Sequence, residues 1–154
     1  KELVVYISMG FGNPYGDDWS PELAVRWCER LYREFDVRIL ALSDTIGIAT
    51  PDSIGALCNT LIPALPGVEF GAHLHSTPDR CVEKLDAALQ AGCKRFDGAI
   101  KGFGGCPMAT NTLTGNMPTE RMVNHLHALG IETSLDTDAF MASVQMADRV
   151  FSPH

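Results

Sequence analysis

The sequence predicts an α/β chain of four strand–helix units followed by one more helix. Two arrangements suit it: half of a (β/α)8 barrel, or a small open α/β sheet. Three observations carry the prediction. Short apolar runs alternate with amphipathic segments from end to end. Each run passes through a polar loop, glycine-containing in three of the four, to a proline that opens the next segment. Those prolines, Pro21, Pro51, Pro78 and Pro118, stand 30, 27 and 40 residues apart, about the span of βαβ units in a parallel sheet.

The apolar runs Leu3–Met9, Val37–Leu42, Val68–His75 and Arg95–Ile100 are the predicted strands. Ser20, Thr50 and Thr77 precede proline and predict N-caps, because a hydroxyl oxygen accepts from a free N–H of the first turn. After Ser20, the residues Leu23, Trp27, Leu31 and Phe35 recur at every fourth position, one face of a helix. Ile54, Leu57, Leu61 and Ile62 give the second helix its face, and Val82, Leu85 and Leu89 the third, which Gly92 ends. Pro118 opens a fourth helix through Val123, Leu126 and Leu129, ended by Gly130. A last helix is predicted from about Thr137 to Val150.

The chain of 154 residues reads as a single region over 1–154. A full barrel needs ~250 residues. The chain enters its first strand almost at once after Lys1, as expected of a segment from within a longer fold. No apolar run approaches the ~20 residues of a membrane span, which leaves no expected membrane partner. The net charge is −7 with Lys and Arg scattered, and this argues against nucleic acid, whose phosphates need clustered cations. Five cysteines without close pairing, Cys28, Cys58, Cys81, Cys93 and Cys106, suit a reduced compartment and mostly read as small buried apolar residues.

In either arrangement a site is expected at the C-terminal ends of the strands. There the sequence places Asn13-Pro14-Tyr15, Ser43-Asp44-Thr45-Ile46-Gly47, His73-Leu74-His75, and Lys101-Gly102-Phe103-Gly104-Gly105-Cys106-Pro107, with Asn116 further on. Residues i and i+2 of a strand share a face, so His73 and His75 are placed either to share a divalent ion or to be held by hydrogen bonds. His125 and His127 have the same spacing on a helix, where it does not align them, and read as surface or packing residues. Asp44 binds substrate or caps the next helix, and Thr50 fills the cap better. Lys101 holds an anion or is simply solvated. Asn116 caps a loop or lends its amide oxygen to a metal. Cys106, on a glycine loop, is an incidental turn residue or a thiol acid, base or nucleophile.

Taken together, these residues resemble the C-terminal half of 3-hydroxy-3-methylglutaryl-CoA (HMG-CoA) lyases. The resemblance runs from Tyr6-Ile7-Ser8 to Thr119-Glu120. The His-x-His element is shared with the wider metal-dependent barrel lyases and synthases, and the glycine loop bearing Cys-Pro is specific to the lyase branch. The resemblance implies a TIM barrel of which this chain is strands five to eight. It implies cleavage of HMG-CoA to acetyl-CoA and acetoacetate with a divalent cation, Mg or Mn. His73, His75 and Asn116 are then the metal ligands, with Cys106, His73 and Asp44 catalytic and Cys106 the proton-transferring thiol of a mobile loop. Thr45, Lys101, Gly104 and Gly105 would lie against the acyl-CoA substrate. The family's first-strand Asp-Arg-Glu element has no counterpart here, so the expected partner is the N-terminal half of the barrel, or a second copy by self-association through an apolar barrel-facing side and two open sheet edges. The expected compartment is bacterial cytoplasm or mitochondrial matrix. A metal-dependent aldolase or Claisen condensing enzyme acting on a keto acid is the alternative, followed by a non-catalytic half-barrel module.

Overall fold

The computed structural model describes residues 1–105 and 114–151, and in it the four strands lie side by side in chain order. These are β1 (Val4–Ile7), β2 (Ile39–Asp44), β3 (Glu69–Ser76) and β4 (Arg95–Asp97), all parallel. Sequential order without reversal is the winding of a barrel wall, whereas an open doubly wound sheet reverses its order at a switch point. A short fifth strand, β5 (Gly115–Asn116), is a departure from the expected elements and pairs antiparallel with β3.

The helices are α1 (Pro21–Phe35), α2 (Pro51–Ala64), α3 (Cys81–Gln90), α4 (Thr119–Ala128) and α5 (Thr137–Phe151). Ser20 Oγ accepts from Leu23 N at 3.2 Å at the start of α1. Thr50 and Ser53 cap α2 reciprocally, at 3.2 and 2.9 Å, an arrangement whose N-cap is worth about 1 kcal/mol. Thr77 does not cap α3. The chain first takes a 3-10 turn over Pro78–Arg80, and α3 starts one turn later than expected. The third strand–helix unit is followed by Gly92 at φ +95°, as a C-terminal glycine requires. β4 stops at Asp97 rather than running to Ile100, because Ile100–Gly102 form a 3-10 turn with Lys101 at φ +59°.

Strand register sorts the sheet into two faces. Leu40, Leu42, Phe70, Ala72 and Leu74 point to the helices and make the core with Ile54, Leu57, Leu61 and Leu85. α2 buries the expected Ile54, Leu57 and Leu61, whereas the faces of α1 and α3 are rotated from those the sequence suggested. In α1 the buried residues are Ala24 and Cys28, while Trp27 and Phe35 are exposed. In α3 they are Cys81, Lys84, Leu85 and Ala88. Small residues sit closest to the sheet and the larger apolar ones flank them, which shifts the buried stripe by one position. Cys28, Cys58, Cys81 and Cys93 are free and buried, as expected. His125 pairs with Asp86 at 2.7 Å and His127 with Thr133 at 2.9 Å, so both serve local packing. No helix among the described residues is long and apolar enough to cross a membrane.

The opposite face of the sheet carries Tyr6, Ala41, Ser43, Gly71, His73, Arg95 and Asp97 in register. It is the barrel-interior side, and it is polar rather than the apolar surface that self-association would favour. β1 and β4 are the two edges of the parallel sheet.

Candidate active site

The site is built on the last residues of β3. Leu74 points into the core, so His73 and His75 must both face the open side. Their ring centroids are 5.3 Å apart with the planes at 89°. β5 brings a third group: Asn116 is the registered partner of His75. The spacing of Asn116 from the histidines in sequence gives no hint of this pairing, which depends on β5.

Two of the three groups, His75 and Asn116, are each oriented by a bond that leaves another atom available. His75 Nδ1 lies 2.8 Å from the carbonyl of Asp44. A carbonyl only accepts, so Nδ1 carries the proton and Nε2 keeps the lone pair. Asn116 Nδ2 donates to the carbonyls of Phe103 at 2.9 Å and Gly104 at 2.8 Å, which turns Oδ1 away as an acceptor. His73 Nδ1 is buried without a hydrogen-bond partner, as is Ser43 Oγ on the neighbouring strand. Two neutral imidazoles and an amide oxygen, with a buried ring nitrogen left unsatisfied, make a donor set that fits a divalent cation. Among the described residues no cluster of three His, Cys, Asp or Glu accompanies them. No carboxylate is among these three donors, although Asp97 lies beside them, 3.7 Å from His73 Nδ1.

Burial lowers the His73 pKa from the ordinary histidine range, and the neighbouring His75 charge lowers it further, against an opposing pull from Asp97. The 3.7 Å between His73 Nδ1 and Asp97 Oδ2 is too long for a hydrogen bond, so we read a neutral imidazole beside a carboxylate rather than an ion pair. Asp97 is instead held by Tyr6, whose hydroxyl donates to Oδ2 at 2.8 Å. That bond, then burial and the carboxylate charge, raise the Tyr6 pKa. Tyr6 also stacks edge-on against His73 at 5.7 Å.

The glycine loop wraps around β5. The Gly104 carbonyl accepts from Asn116 N at 3.1 Å, and Gly105 forms an antiparallel bridge with Gly115. Gly102 has φ +68°, and a Cβ there would meet Asn116 O at 2.8 Å. Only glycine allows this approach. Cys106 falls outside the described residues.

Three expected site residues have other surroundings. Asp44 is registered opposite Leu74, on the helix face, and its side chain has no exposed surface. Its carboxylate accepts from Ile48 N at 2.9 Å, Ala49 N at 3.0 Å and Lys84 Nζ at 2.9 Å. The expectation that Asp44 contacts substrate is corrected: it braces the turn after β2 from inside the core. Thr45 lies half-buried in that turn. The Lys101 ammonium pairs with Asp148 of α5, and its backbone N donates to Glu120 at 2.8 Å, so it is tied to the helices rather than aimed at the histidines. Sequence reasoning missed Lys84, Tyr6, Asp97 and Ser43. Lys84 had a signal: it shares the helical stripe of Cys81, Leu85 and Ala88. Tyr6, Ser43 and Asp97 needed the strand register.

With this geometry in hand, comparison with known proteins is decisive. A family model described as HMGL-like matches residues 5–147. The chain belongs to the HMGL-like family. Among relatives, it is 35% identical to the (R)-citramalyl-CoA lyase of Chloroflexus aurantiacus, over 90% of this chain and 43% of that protein. It is 34% identical to a hydroxymethylglutaryl-CoA lyase of Bacillus subtilis, over 91% of this chain and 46% of that protein. The solved Bacillus subtilis HMG-CoA lyase superposes with a TM-score of 0.86 at 32% identity, covering 96% of this chain and 49% of that one. That of Brucella melitensis gives 0.87 at 28%, covering 99% and 53%. The chain therefore spans about half the length of the HMGL-like proteins it matches, and its fold is a partial barrel of the HMG-CoA lyase type.

Proposed function

We propose that the chain is the metal-binding wall of a carbon–carbon lyase that cleaves HMG-CoA to acetyl-CoA and acetoacetate. The observation that carries this is the convergence of His73, His75 and Asn116 on one face, in a chain of the HMGL-like family. His73, His75 and Asn116 would hold a divalent ion, Mg or Mn. When bound, such an ion would bring Lewis-acid polarisation of a substrate oxygen and orient the substrate.

The reaction needs the tertiary hydroxyl to pass its proton to a general base as the adjacent carbon–carbon bond breaks. The bond's electron pair passes to the thioester fragment, leaving acetoacetate and the enolate of acetyl-CoA, which then takes a proton. We assign that proton delivery to Cys106, carried on the loop whose Gly104 and Gly105 reach β5. Gly104, Gly105 and Thr45 line the substrate in this reading, and Lys101 does so only if it exchanges its Asp148 partner. Burial keeps the His73 imidazole neutral, the state a ligand needs. An Acinetobacter HMG-CoA lyase of the same fold was solved with coenzyme A and 3-methylmalate, which supports an acyl-CoA substrate. The N-terminal half of the barrel is the partner that would add the missing carboxylate. Relatives described as cytoplasmic support the cytoplasmic setting.

The test is acetoacetate release from HMG-CoA by the full-length protein carrying this chain, with Mn or Mg. Cleavage that depends on the ion and is abolished by Cys106→Ala supports the reading. Turnover of pyruvate-type keto acids instead, indifferent to Cys106→Ala, would establish the aldolase or Claisen alternative. A protein that binds neither Mn nor Mg and cleaves neither substrate would be a binding module.

A further inference from the structure

Lys84 is a fully buried lysine, 1% exposed, in a position where helical spacing calls for an apolar residue. It spends all three donors of its ammonium: on Asp44 Oδ2 at 2.9 Å, on the His75 carbonyl at 2.7 Å and on the Gly47 carbonyl at 3.3 Å. The Asp44 carbonyl in turn receives the ring proton of His75 at 2.8 Å. The three residues thus close a cycle. Lys84 grips the peptide of His75, Asp44 grips Lys84, and the backbone of Asp44 grips the imidazole. An apolar side chain at 84 would leave two carbonyls without this donor and the Asp44 carboxylate buried without its cation.

We infer that Lys84 is a positioning residue for His75: it locks the end of β3 to the turn after β2 so that the imidazole stays protonated on Nδ1 and presents Nε2 to the open face. The purpose rests on the metal reading above, whereas the lock itself rests on the contacts alone. Neutralising Asp44 would require only the first of the three bonds. The bond to the His75 carbonyl, the shortest of the three, is what ties the lysine to the site.

Nitrogen NMR of histidine-labelled, metal-free protein reads the tautomer directly, and Mn titration of the same samples reads affinity. In the unaltered protein His75 is expected as the Nδ1–H tautomer with a slowly exchanging ring proton. In Lys84→Met the ring proton should exchange at least about tenfold faster, with both tautomers populated. Mn affinity should fall by about 10–100-fold, the usual consequence of losing a group that orients a ligand. Because Lys84→Met strands a buried carboxylate, the double variant Lys84→Met/Asp44→Asn is the companion, and it should show the same loss of tautomer order. An unchanged tautomer and ring-proton lifetime in a folded variant, with only the melting temperature lowered, would overturn the inference. So would an Nε2–H tautomer in the unaltered protein. Tautomer order that depends on Lys84 in a protein without Mn affinity would support the lock and remove the metal reading instead.

Discussion

Asn116 stands directly opposite His75 across the β3–β5 pair, and its side-chain NH2 is fully spent on the carbonyls of Phe103 and Gly104. One amide therefore serves two tasks. Its nitrogen holds the glycine loop down, and its oxygen is left for the open face beside the histidines.

Asn116→Asp separates those tasks. A carboxylate adds charge for a cation but has no hydrogen to give the two carbonyls. The variant is expected to loosen the loop over Gly102–Gly105, seen as faster amide exchange there, at a cost of about 1–2 kcal/mol in thermal unfolding. Loop exchange equal to that of the unaltered protein would contradict the assigned amide orientation.

Gly102→Ala tests the fit of the loop on β5. The added methyl would meet Asn116 O at 2.8 Å from a backbone at φ +68°. We expect a loss of about 1–3 kcal/mol and displacement of the Asn116 amide, read by chemical-shift change at Asn116 and His75. Gly55→Ala, where nothing lies within 4 Å, is the control and should leave those signals in place.

Asp97→Asn should bring Tyr6 back toward the ordinary phenol pKa. The hydrogen bond to the carboxylate is the largest cause of the raised value, and the carboxylate charge adds to it. Titration of the Tyr6 ring carbons by NMR should show the downward shift. An unmoved titration would mean that Asp97 does not hold the hydroxyl.

The buried thiols give the protein an alkaline limit. Burial pushes Cys28 and Cys58 up to about 12, and Cys81 and Cys93 up to about 11. Above pH 9 the unfolded chain loses these protons while the folded chain keeps them. The folded state then binds more protons, so stability falls as pH rises through 9 to 11, by about 1.4 kcal/mol per pH unit for each thiol. Urea unfolding from pH 8 to 10.5 should show the decline, and slow alkylation of these four thiols at pH 8 should accompany it. Flat stability across that range would show that the thiols ionise in place.

Much of this was legible in the chain alone. Caps at Ser20 and Thr50 follow from local chemistry between neighbours, and so do the prolines that open α1 and α2. The strand alternation that puts His73 and His75 on one face and Leu74 on the other is equally local. Family membership was legible for the same reason, since the residues that carry it lie in short contiguous runs. What required the tertiary structure was everything set by register between distant segments. Ser43 and Asp97 flank His73 only because three strands align. Asn116 reaches His75 through a two-residue strand too short to leave a pattern. Asp44 turned inward because it pairs with Leu74, and Lys84 became intelligible only once its three acceptors had gathered around it. Local propensity is written in consecutive side chains. The meeting of side chains from separate elements depends on which carbonyls and amides pair across the sheet, and that is decided when the whole core packs.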